Sequence, residues 1–589
     1  MSLERLLQPR SIAIVGASPE AKKIPGMIID FLRKSGCTAK IYPVNPKYPA
    51  IHDYTCYPNI DALPETVDLV VVVIPVAVAF DAIEAAARRG VPFCLLMSGG
   101  FGEGRSGATG VARKERLLKL CHSTGMQVVG PNTVGMVNFL YRMPLTFADW
   151  YGRDTGQRGG VAIVTHSGSV GGLIFSSLQI NKIGVNYWIG LGNEASLECA
   201  DFIAHFSDDP DIHTVICYME GVQNGRKFLA AADKARRAGK KVVVVKAGDN
   251  PESVRSTLSH TGKNPSPHDI YASAFRQTGV IQVASLTELS YVMTLLTTAG
   301  ERLCQKEKIG VGIISASGGA NSLIADHIVN AGLALPELSA SLQETLNAVI
   351  PEYGSSLNPV DLSADVISRP ELLNGTLAAI PGDDSVDVWV VFGRPIVDRY
   401  YEALAAFAKS SGKSLVVSCV VPVAPEIHTA LQSNGIAVLP DPELCMRALA
   451  CIQRASPIPP FAAASATPPA AALPEQRGGV PVLLTSLWRD PDFGVVMAIS
   501  AASATLKDAR HHPRHVIRVL PATAADWRDA LRELSTLEGS LPATPEAIVA
   551  ALCTLAAPHG AHPAPAQVNA LLSVNTRLGL SGGQLHRCF

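Results

Sequence analysis

The sequence predicts an α/β protein of three successive doubly wound parallel-sheet domains, followed by a small α/β segment at the C-terminal end. Three observations lead to this prediction. Short, nearly uninterrupted apolar runs recur along most of the chain. Each run ends in a glycine- or proline-containing turn that leads into a helix-like segment, and the whole alternation starts afresh twice. Near-continuous apolar strands alternating with helices form parallel sheets that are buried on both faces.

Composition and charge set the broad class of the protein. At 589 residues the chain exceeds the size of one hydrophobic core, and 47% hydrophobic with 17% charged residues indicates that most of it folds. Lys and Arg number 50 against 51 Asp and Glu, so no overall basic field attracts nucleic acid. Aromatic residues make up only 6%, which is low for a surface that stacks on bases. We therefore expect no nucleic-acid partner.

The sequence carries no sign of an export or membrane segment. Its first residues, Met1-Ser2-Leu3-Glu4-Arg5, lack the basic and long apolar regions of a signal peptide, and no apolar run reaches the about 18 residues of a membrane span. The 12 cysteines lie apart without C-x-x-C pairs, a pattern typical of a reducing compartment rather than of a zinc site or a disulfide framework. We expect a cytoplasmic protein.

The elements of the first domain alternate between strand and helix. We predict, in chain order, a strand at 11–15, a helix at 26–35, and strands at 40–46, 68–74 and 93–97. Each turn that contains glycine or proline follows the carboxyl end of a strand. In open α/β sheets this edge is where ligands bind.

The pattern repeats in two further domains. We predict strands at 160–164, 215–218 and 241–246 in the second domain, and at 309–315, 388–392, 414–419 and 437–439 in the third. The stretch from Ser456 to Pro474 is almost entirely Ala, Pro, Ser and Thr, which is typical of an extended linker. The predicted divisions of the chain are 1–128, 129–300, 301–455, a linker at 456–478 and a C-terminal domain at 479–589.

Two strand-to-helix turns have the form of an anion site. Ser167-Gly168-Ser169 and Ser317-Gly318-Gly319 each follow a predicted strand and open a helix. Free N–H groups and the positive end of the helix dipole favour an anion there. The two helix starts could hold one phosphate from opposite sides, or each could be an ordinary helix cap.

A histidine adds a chemical role to these turns. His260 lies in the run Ser259-His260-Thr261-Gly262, and a histidine facing an anion site can carry a phosphoryl group. It needs a partner that fixes its tautomer and raises its nucleophilicity. Glu220 is the first candidate and Glu194 the second. The alternative is that His260 is structural or faces solvent.

Other loops carry weaker signals. Gly16-Ala17-Ser18 lacks the full G-x-G-x-x-G of dinucleotide sites and could be only a tight turn. Lys47, just past the second strand, could pair with a phosphate or simply be solvated. The run His511-His512-Pro513-Arg514-His515 could bind a metal, but its proline interrupts any helical face that would collect the imidazoles. A solvated loop is the simpler interpretation.

Several runs, in one order along the chain, carry a family resemblance. They are Ser11–Ser18, Val44–Tyr48, Gly130–Asn132, Ser167–Ser169, Gly192–Ala195, Glu220–Gly221, Lys246–Gly248, Ser259–Gly262 and Asn358–Asp361. By these runs the chain resembles the NDP-forming acyl-CoA synthetases, the superfamily of succinyl-CoA synthetase and ADP-forming acetate–CoA ligase. The resemblance implies a Rossmann-like CoA-binding domain followed by two flavodoxin-like domains.

The resemblance also implies roles for individual residues. His260 would be the transient phosphohistidine and Glu220 its carboxylate partner. The helix starts at Ser167-Gly168-Ser169 and Ser317-Gly318-Gly319 would hold the phosphate. The residues that would bind coenzyme A are Gly16, Ser18, Lys47, Pro75 and Asn132.

The same resemblance implies an activity. In this family, ATP phosphorylates the histidine in an ATP-grasp domain, the phosphoryl group passes to a carboxylic acid, and CoA attacks the acyl phosphate. A carboxylate is a poor electrophile, and phosphorylation gives it a leaving group. We therefore expect an acid–thiol ligase that acts on a small carboxylic acid.

The sequence departs from the family pattern in places. Thr133 stands where members often have Cys, and His166 stands where Gln or Arg is usual. Arg489–Met497 resembles the second half of an ATP-grasp domain, but the expected glycine-rich continuation is absent and the first half is missing. Only Asn569 remains of the acidic metal-binding strand, so magnesium would lack its carboxylate ligands. We expect a separate ATP-grasp subunit to supply ATP and Mg, and hence an oligomer.

Two alternatives stay open. One is a nucleotide-independent enzyme that transfers or hydrolyses acyl groups on CoA, with His260 or His166 as general base. The other is a non-catalytic CoA-binding protein with a relic tail.

Overall fold

The structure, a computed structural model, describes most of the chain. The described ranges are 2–153, 156–248, 267–455, 482–501, 516–520, 526–532, 574–581 and 584–588, with a few single positions between them. The chain forms two compact units. The first comprises Met1–Ser176, Gly184–Gln282 and Ile458–Phe589, and the second comprises Ser177–Ile183 and Val283–Pro457.

The first unit begins with a five-stranded parallel sheet. Its strands are β1 (Ser11–Val15), β2 (Lys40–Val44), β5 (Leu69–Val72), β6 (Phe93–Leu96) and β7 (Gln127–Val129), and a small pair is formed by β3 (Ala50–Ile51) and β4 (Tyr54–Thr55). The helices are α1 (Glu4–Leu7), α2 (Ile24–Ser35), α3 (Val76–Arg88) and α4 (Gly107–Thr124), with a 3-10 turn at Ile60–Ala62. The strand order is β2-β1-β5-β6-β7, a doubly wound arrangement.

Burial explains why these segments are strands, and local chemistry explains where they differ from expectation. All five residues of β1 and all four of β5 are buried, as a sheet covered on both faces requires. Helix α2 begins two residues before its predicted start because Pro25 fits the first helical turn, where its missing N–H is not needed. Strand β5 is shorter than predicted at both ends. Asp68 is instead held by its side chain, which accepts from the Arg10 N–H at 2.8 Å.

A seven-stranded sheet follows in the same unit. Its strands are β8 (Gly135–Asn138), β9 (Met143–Thr146), β10 (Val161–Thr165), β11 (Val185–Gly190), β12 (Thr214–Met219), β13 (Lys241–Lys246) and β14 (Ile281–Val283). Its helices are α5 (Asp149–Arg153), α6 (Gly168–Ile180), α7 (Cys199–Phe206), α8 (Gly225–Arg237) and α9 (His268–Thr278). The order is β14-β13-β12-β10-β11-β8-β9, so the unpredicted antiparallel hairpin β8–β9 extends an otherwise flavodoxin-like sheet.

The second unit holds a five-stranded parallel sheet. Its strands are β15 (Val311–Ser315), β16 (Val360–Asp361), β17 (Val388–Phe392), β18 (Ser414–Ser418) and β19 (Ala437–Val438). Its helices are α10 (Leu286–Thr298), α11 (Gly300–Leu303), α12 (Gly318–Asn330), α13 (Ala340–Val349), α14 (Pro370–Ala379), α15 (Arg394–Ser411), α16 (Pro425–Ser433) and α17 (Pro442–Arg454), with 3-10 turns at Ala364–Ile367 and Ile380–Gly382. The order is β16-β15-β17-β18-β19, and the buried Trp389 on β17 belongs to its hydrophobic core.

The C-terminal region adds an antiparallel sheet to the first unit. Its strands are β20 (Val482–Asp490), β21 (Gly494–Ala501), β22 (Val516–Val519), β23 (Val574–Ser581) and β24 (Gln584–Cys588), and residues 526–532 are helical. The order is β22-β21-β20-β23-β24. The side chains of Phe493, Val496 and Ile517 join the same hydrophobic core as the two preceding sheets of this unit. The C-terminal region is therefore packed onto the part of the first unit that contains these two sheets.

The predicted α/β fold class is confirmed: three mostly parallel sheets follow one another along the chain. Over the ranges that the structure describes, no helix is both long enough and apolar enough to cross a bilayer.

Candidate functional site

Loops at the carboxyl edge of the first sheet are tied to one another. The Asn45 side-chain N–H donates to the Ala17 carbonyl at 2.8 Å, which joins the loops after β2 and β1. The Ser98 hydroxyl donates to the Ile74 carbonyl at 2.5 Å, and the Asn132 N–H donates to the Ser98 carbonyl at 3.0 Å. The turns after five parallel strands thus form one continuous edge.

The residues expected to bind coenzyme A lie along this edge. Gly16 has φ of 93° and its missing Cβ would come within 2.8 Å of the Val73 carbonyl, so only glycine fits the turn. Ser18 is buried, Lys47 is exposed, and Pro75 directly precedes α3. The structure brings these positions to one side of the sheet, and their role in CoA binding stays a prediction.

Asn132 connects this edge to the second sheet. It has φ of 60°, and its side-chain N–H donates to Asn193 Oδ1 at 3.3 Å. Asn193 in turn donates to Glu103 Oε2 at 2.6 Å. The Ala195 N–H donates to the Gly130 carbonyl at 2.9 Å. Loops of the five-stranded parallel sheet and loops of the seven-stranded sheet are therefore joined by hydrogen bonds.

The helix start at Ser167-Gly168-Ser169 follows β10 at the carboxyl edge of the seven-stranded sheet. Ser167 Oγ accepts from the Val170 N–H at 3.3 Å and lies 3.2 Å from Ser169 Oγ. The Ser167 N–H donates to Thr165 Oγ1 at 3.1 Å, which fixes the turn after β10. Ser169 is exposed. This geometry is suited to an anion at the N-terminus of α6.

His166 precedes this helix start, and its ring is withdrawn from solvent. Its Nε2 lies 3.0 Å from Glu194 Oε1, with the two side chains 7% and 3% exposed. Its Nδ1 accepts from the Glu220 N–H at 3.2 Å. A neutral ring therefore carries its proton on Nε2, towards Glu194. Burial works against the charged ring, but the carboxylates of Glu194 and Glu220 outweigh it and raise the pKa of His166.

Glu194 is held in place by its backbone and by a helix. It has φ of 47°, a left-handed conformation that side-chain-bearing residues seldom adopt and that clusters at functional sites. Its Oε1 accepts from the Cys199 N–H at 2.7 Å. Cys199 is the first residue of α7, so the positive end of that helix stabilises the carboxylate.

Glu220 and Lys246 complete a buried charged cluster. They follow or end the neighbouring strands β12 and β13, and they are 7% and 5% exposed. Both act electrostatically on His166: Glu220 raises the pKa of the imidazole and Lys246 lowers it. Two carboxylates, an imidazole and an ammonium group kept from water at one sheet edge are typical of a catalytic site.

The second helix start lies in the other compact unit. Ser317 Oγ accepts from the Ala320 N–H at 3.3 Å, and the Ser315 hydroxyl donates to Asn321 Oδ1 at 2.7 Å. Gly318 and Gly319 form the exposed first turn of α12. The turn has the same arrangement as the first helix start, a capping serine followed by the N–H groups of the first helical turn.

Other predicted residues lie outside the described residues. These are His260 with its flanking Ser259, Thr261 and Gly262, the histidines of the run 511–515, and Asn569. The phosphohistidine role of His260 and its pairing with Glu220 stay predictions. In the part of the chain that the structure describes, no group of three or more His, Cys, Asp or Glu side chains is arranged to hold a metal ion.

The contact between His166 and Glu194 was not foreseen from the sequence, which offered Glu194 as a partner for His260. The contact follows from the strand order. His166 follows β10 and Glu194 follows β11, and these strands are parallel neighbours whose carboxyl ends meet.

Comparisons with known proteins match this organisation. Three family models cover successive parts of the chain: a CoA binding domain over residues 10–138, a succinyl-CoA ligase like flavodoxin domain over 158–296, and a ligase-CoA domain over 311–375.

Individual relatives agree with the family models. The chain is 31% identical over 458 residues to acetate–CoA ligase [ADP-forming] I of Archaeoglobus fulgidus, covering 77% of this chain and 64% of that protein. It is 29% identical over 471 residues to the alpha subunit of acetate–CoA ligase [ADP-forming] I of Pyrococcus furiosus, covering 77% of this chain and 98% of the subunit. A solved structure, the dinucleotide forming acetyl-coenzyme A synthetase 1 of Ca. Korarchaeum cryptofilum in complex with phosphate and ADP, matches with a TM-score of 0.67 at 27% identity, over 77% of this chain and 97% of that one. The chain belongs to the superfamily of NDP-forming acyl-CoA synthetases.

Proposed function

We propose that the chain is an acid–CoA ligase of the NDP-forming type, which joins a small carboxylic acid to coenzyme A through a phosphohistidine at His260 and an acyl phosphate. The observation that carries this proposal is the buried cluster of His166, Glu194, Glu220 and Lys246. It lies beside the serine helix start, on the edge that the second sheet shares with the loops of the CoA binding domain.

The cluster suits transfer of a phosphoryl group. The N–H groups at the start of α6 favour the anion, and the hydroxyls of Ser167 and Ser169 add donors to it. Glu220 would orient the imidazole of His260 by accepting from one ring nitrogen, which leaves the other nitrogen free to attack phosphorus. In the second unit, Ser317, Gly318 and Gly319 would serve the phosphorylation step in the same way.

Coenzyme A would bind along the first sheet. Gly16 and Ser18 offer a close backbone approach, and Pro75 and Asn132 line the same edge. Lys47 is exposed there and would pair with a phosphate of the cofactor.

ATP and Mg would be supplied by a separate ATP-grasp subunit. The chain spans 64% of the length of the Archaeoglobus relative but 98% of the Pyrococcus alpha subunit, the proportion of a chain that works with a second one. The domain divisions at 128, 300, 455 and 478, an oligomeric state and a cytoplasmic location belong to the same proposal. The acid itself is not identified.

The test is thioester synthesis by the purified chain, mixed with a complete ATP-grasp subunit, ATP, Mg, CoA and a panel of small carboxylic acids. The proposal expects acyl-CoA only when both proteins and ATP are present. Turnover of an acyl-CoA by this chain without any nucleotide would support the nucleotide-independent alternative instead. Tight CoA binding without turnover of either kind would support the non-catalytic one.

The contacts of His166 count against its use as a general base in the nucleotide-independent alternative. A general base needs an unprotonated nitrogen within reach of substrate. In the neutral ring Nδ1 is occupied by the Glu220 N–H, and Nε2 carries the proton facing Glu194.

A further inference from the structure

The turn between β20 and β21 of the C-terminal sheet packs against helices α8 and α9 of the seven-stranded sheet. Asp492 Oδ2 accepts from the Tyr271 hydroxyl at 2.9 Å, and the Asp492 carbonyl accepts from the Gly225 N–H at 2.9 Å. The ring of Phe493 packs edge-on against the ring of Tyr271, with centroids 4.9 Å apart. Asp492 and Phe493 are 5% and 0% exposed. The turn is thus buried against α8 and α9.

Both sides of this contact are shaped for it. A Cβ at Gly225 would lie 2.6 Å from the Asp492 carbonyl, so the close approach depends on glycine at the start of α8. Within the turn, Asp490 Oδ1 accepts from the N–H groups of Asp492 and Phe493, each at 2.9 Å. The carboxylate of Asp492 is therefore presented to Tyr271 from a fixed turn.

Tyr271 links this turn to the charged cluster. Its hydroxyl oxygen accepts from the Val222 N–H at 3.1 Å while its proton is donated to Asp492. Val222 lies two residues after Glu220. The face of the Tyr271 ring lies 4.6 Å from Lys246 Nζ, a cation–π contact made away from water. One phenol ring therefore contacts both the segment after β12 and the ammonium group at the end of β13.

A second set of contacts holds the C-terminal region on α9. Gln277 donates to the Val519 carbonyl at 3.1 Å and accepts from the Val519 N–H at 2.8 Å. The Ser273 hydroxyl donates to the Ile517 carbonyl. These contacts hold the helix, whereas Asp492 and Phe493 contact the Tyr271 ring itself, and of these two only Asp492 binds the hydroxyl.

We propose that Asp492 is a positioning residue that acts through Tyr271 to place Lys246 and the Glu220–Val222 segment for phosphoryl transfer. This inference rests on the proposed function. It gives the C-terminal region a structural role that does not require nucleotide binding. The region supports the charged cluster through Tyr271. The buried carboxylate also raises the pKa of Tyr271, after the larger effect of burial itself, so the phenol keeps the proton that it donates.

The test uses point variants of the full chain, assayed with the ATP-grasp subunit. Tyr271→Phe keeps the ring under Lys246 but removes both hydroxyl contacts, and Asp492→Ala removes the acceptor. Each is expected to lower kcat for thioester synthesis about tenfold. The KM for CoA is expected to stay within about twofold, because the proposed CoA contacts lie on the first sheet. Asp492→Asn keeps an acceptor oxygen and is expected to retain most of the turnover.

The matched control is Ser273→Ala, which removes one hydrogen bond between the same helix and the C-terminal region without touching Tyr271. It is expected to lower the melting temperature and leave kcat unchanged. A second readout needs no activity: amide exchange at Val222 is expected to be faster in Tyr271→Phe than in the wild type. Full kcat in Tyr271→Phe and Asp492→Ala, or an equal loss of kcat in Ser273→Ala, would overturn the positioning role. A wild-type chain that makes no thioester would instead count against the ligase proposal itself.

Discussion

The imidazole Nε2 of His166 lies 3.0 Å from Oε1 of Glu194, and both side chains are nearly closed to solvent. The pair arises because the carboxyl ends of β10 and β11 meet at the centre of the second sheet. It places an ionisable contact next to Ser167, the residue that caps helix α6. The charge state of this pair is therefore expected to contribute to the electrostatic field at that helix start.

This pair is expected to make the stability of the protein depend on pH. The pKa of His166 is raised above its ordinary value of 6.5, so the folded state holds the imidazole proton more tightly than the unfolded state does. The resulting stability is fully present below the ordinary pKa and is lost as pH rises through the folded one. We expect urea unfolding from about pH 6 to about pH 9 to show a steeper loss of stability in the wild type than in His166→Gln. Equal slopes for the two proteins would contradict this prediction.

Removing the carboxylate of Glu194 is expected to be costly. Glu194→Ala removes the carboxylate that faces His166 Nε2 and leaves the Cys199 N–H without its acceptor. We expect the free energy of unfolding to fall by about 3 kcal/mol, as for other broken buried pairs. The exposed Glu115 on α4 provides the control, and Glu115→Ala is expected to change stability by less than about 0.5 kcal/mol. Similar values for the two variants would mean that the buried pair contributes nothing.

The two serines of the first helix start are expected to separate capping from phosphate binding. Ser167 caps α6 through the Val170 N–H, so Ser167→Ala is expected to cost about 1 kcal/mol of stability as well as turnover. Ser169 is exposed, so Ser169→Ala is expected to leave the melting temperature unchanged while thioester synthesis slows several-fold. Calorimetry and the coupled ligase assay check the pair. Full turnover in Ser169→Ala would show that this serine does not contribute to phosphate binding.

Lys47 is expected to contribute to CoA affinity alone. Its side chain is exposed at the carboxyl edge of the first sheet, so Lys47→Ala is expected to weaken CoA binding about tenfold without altering stability. Isothermal titration with CoA measures the effect. Lys119 on α4 is also exposed, and Lys119→Ala serves as the charge-matched control. An equal, small effect of both substitutions would show that only overall charge matters.

Much of the fold is predictable from the sequence because the strands are buried on both faces. The predicted bounds of β13 and β17 agree with the structure, since continuous apolar runs bounded by polar residues define them. The hairpin β8–β9 is missed because all the residues of its two strands are buried, so no alternation of apolar and polar residues reveals it. Its second strand also contains Pro144, which argues against a strand in sequence alone.

The candidate site is predictable in its parts but not in its pairings. The alternation of strands and helices identifies the turns at the carboxyl edge of each sheet, where ligands bind in open α/β folds. The contact between Tyr271 and Asp492 joins residues 221 positions apart, and no local pattern encodes it. The pairing of His166 with Glu194 needs the strand order, which the alternation of elements does not supply.

The proposed function depends on His260 as the residue that accepts the phosphoryl group. The direct measurement is transfer of labelled phosphate from ATP onto the purified chain in the presence of a complete ATP-grasp subunit, followed by mapping of the label. We predict an acid-labile label on His260 that His260→Asn abolishes and Ser273→Ala retains, and that CoA with a carboxylic acid substrate discharges. A wild-type chain that stays unlabelled with the partner present, or a label that persists in His260→Asn, would contradict it.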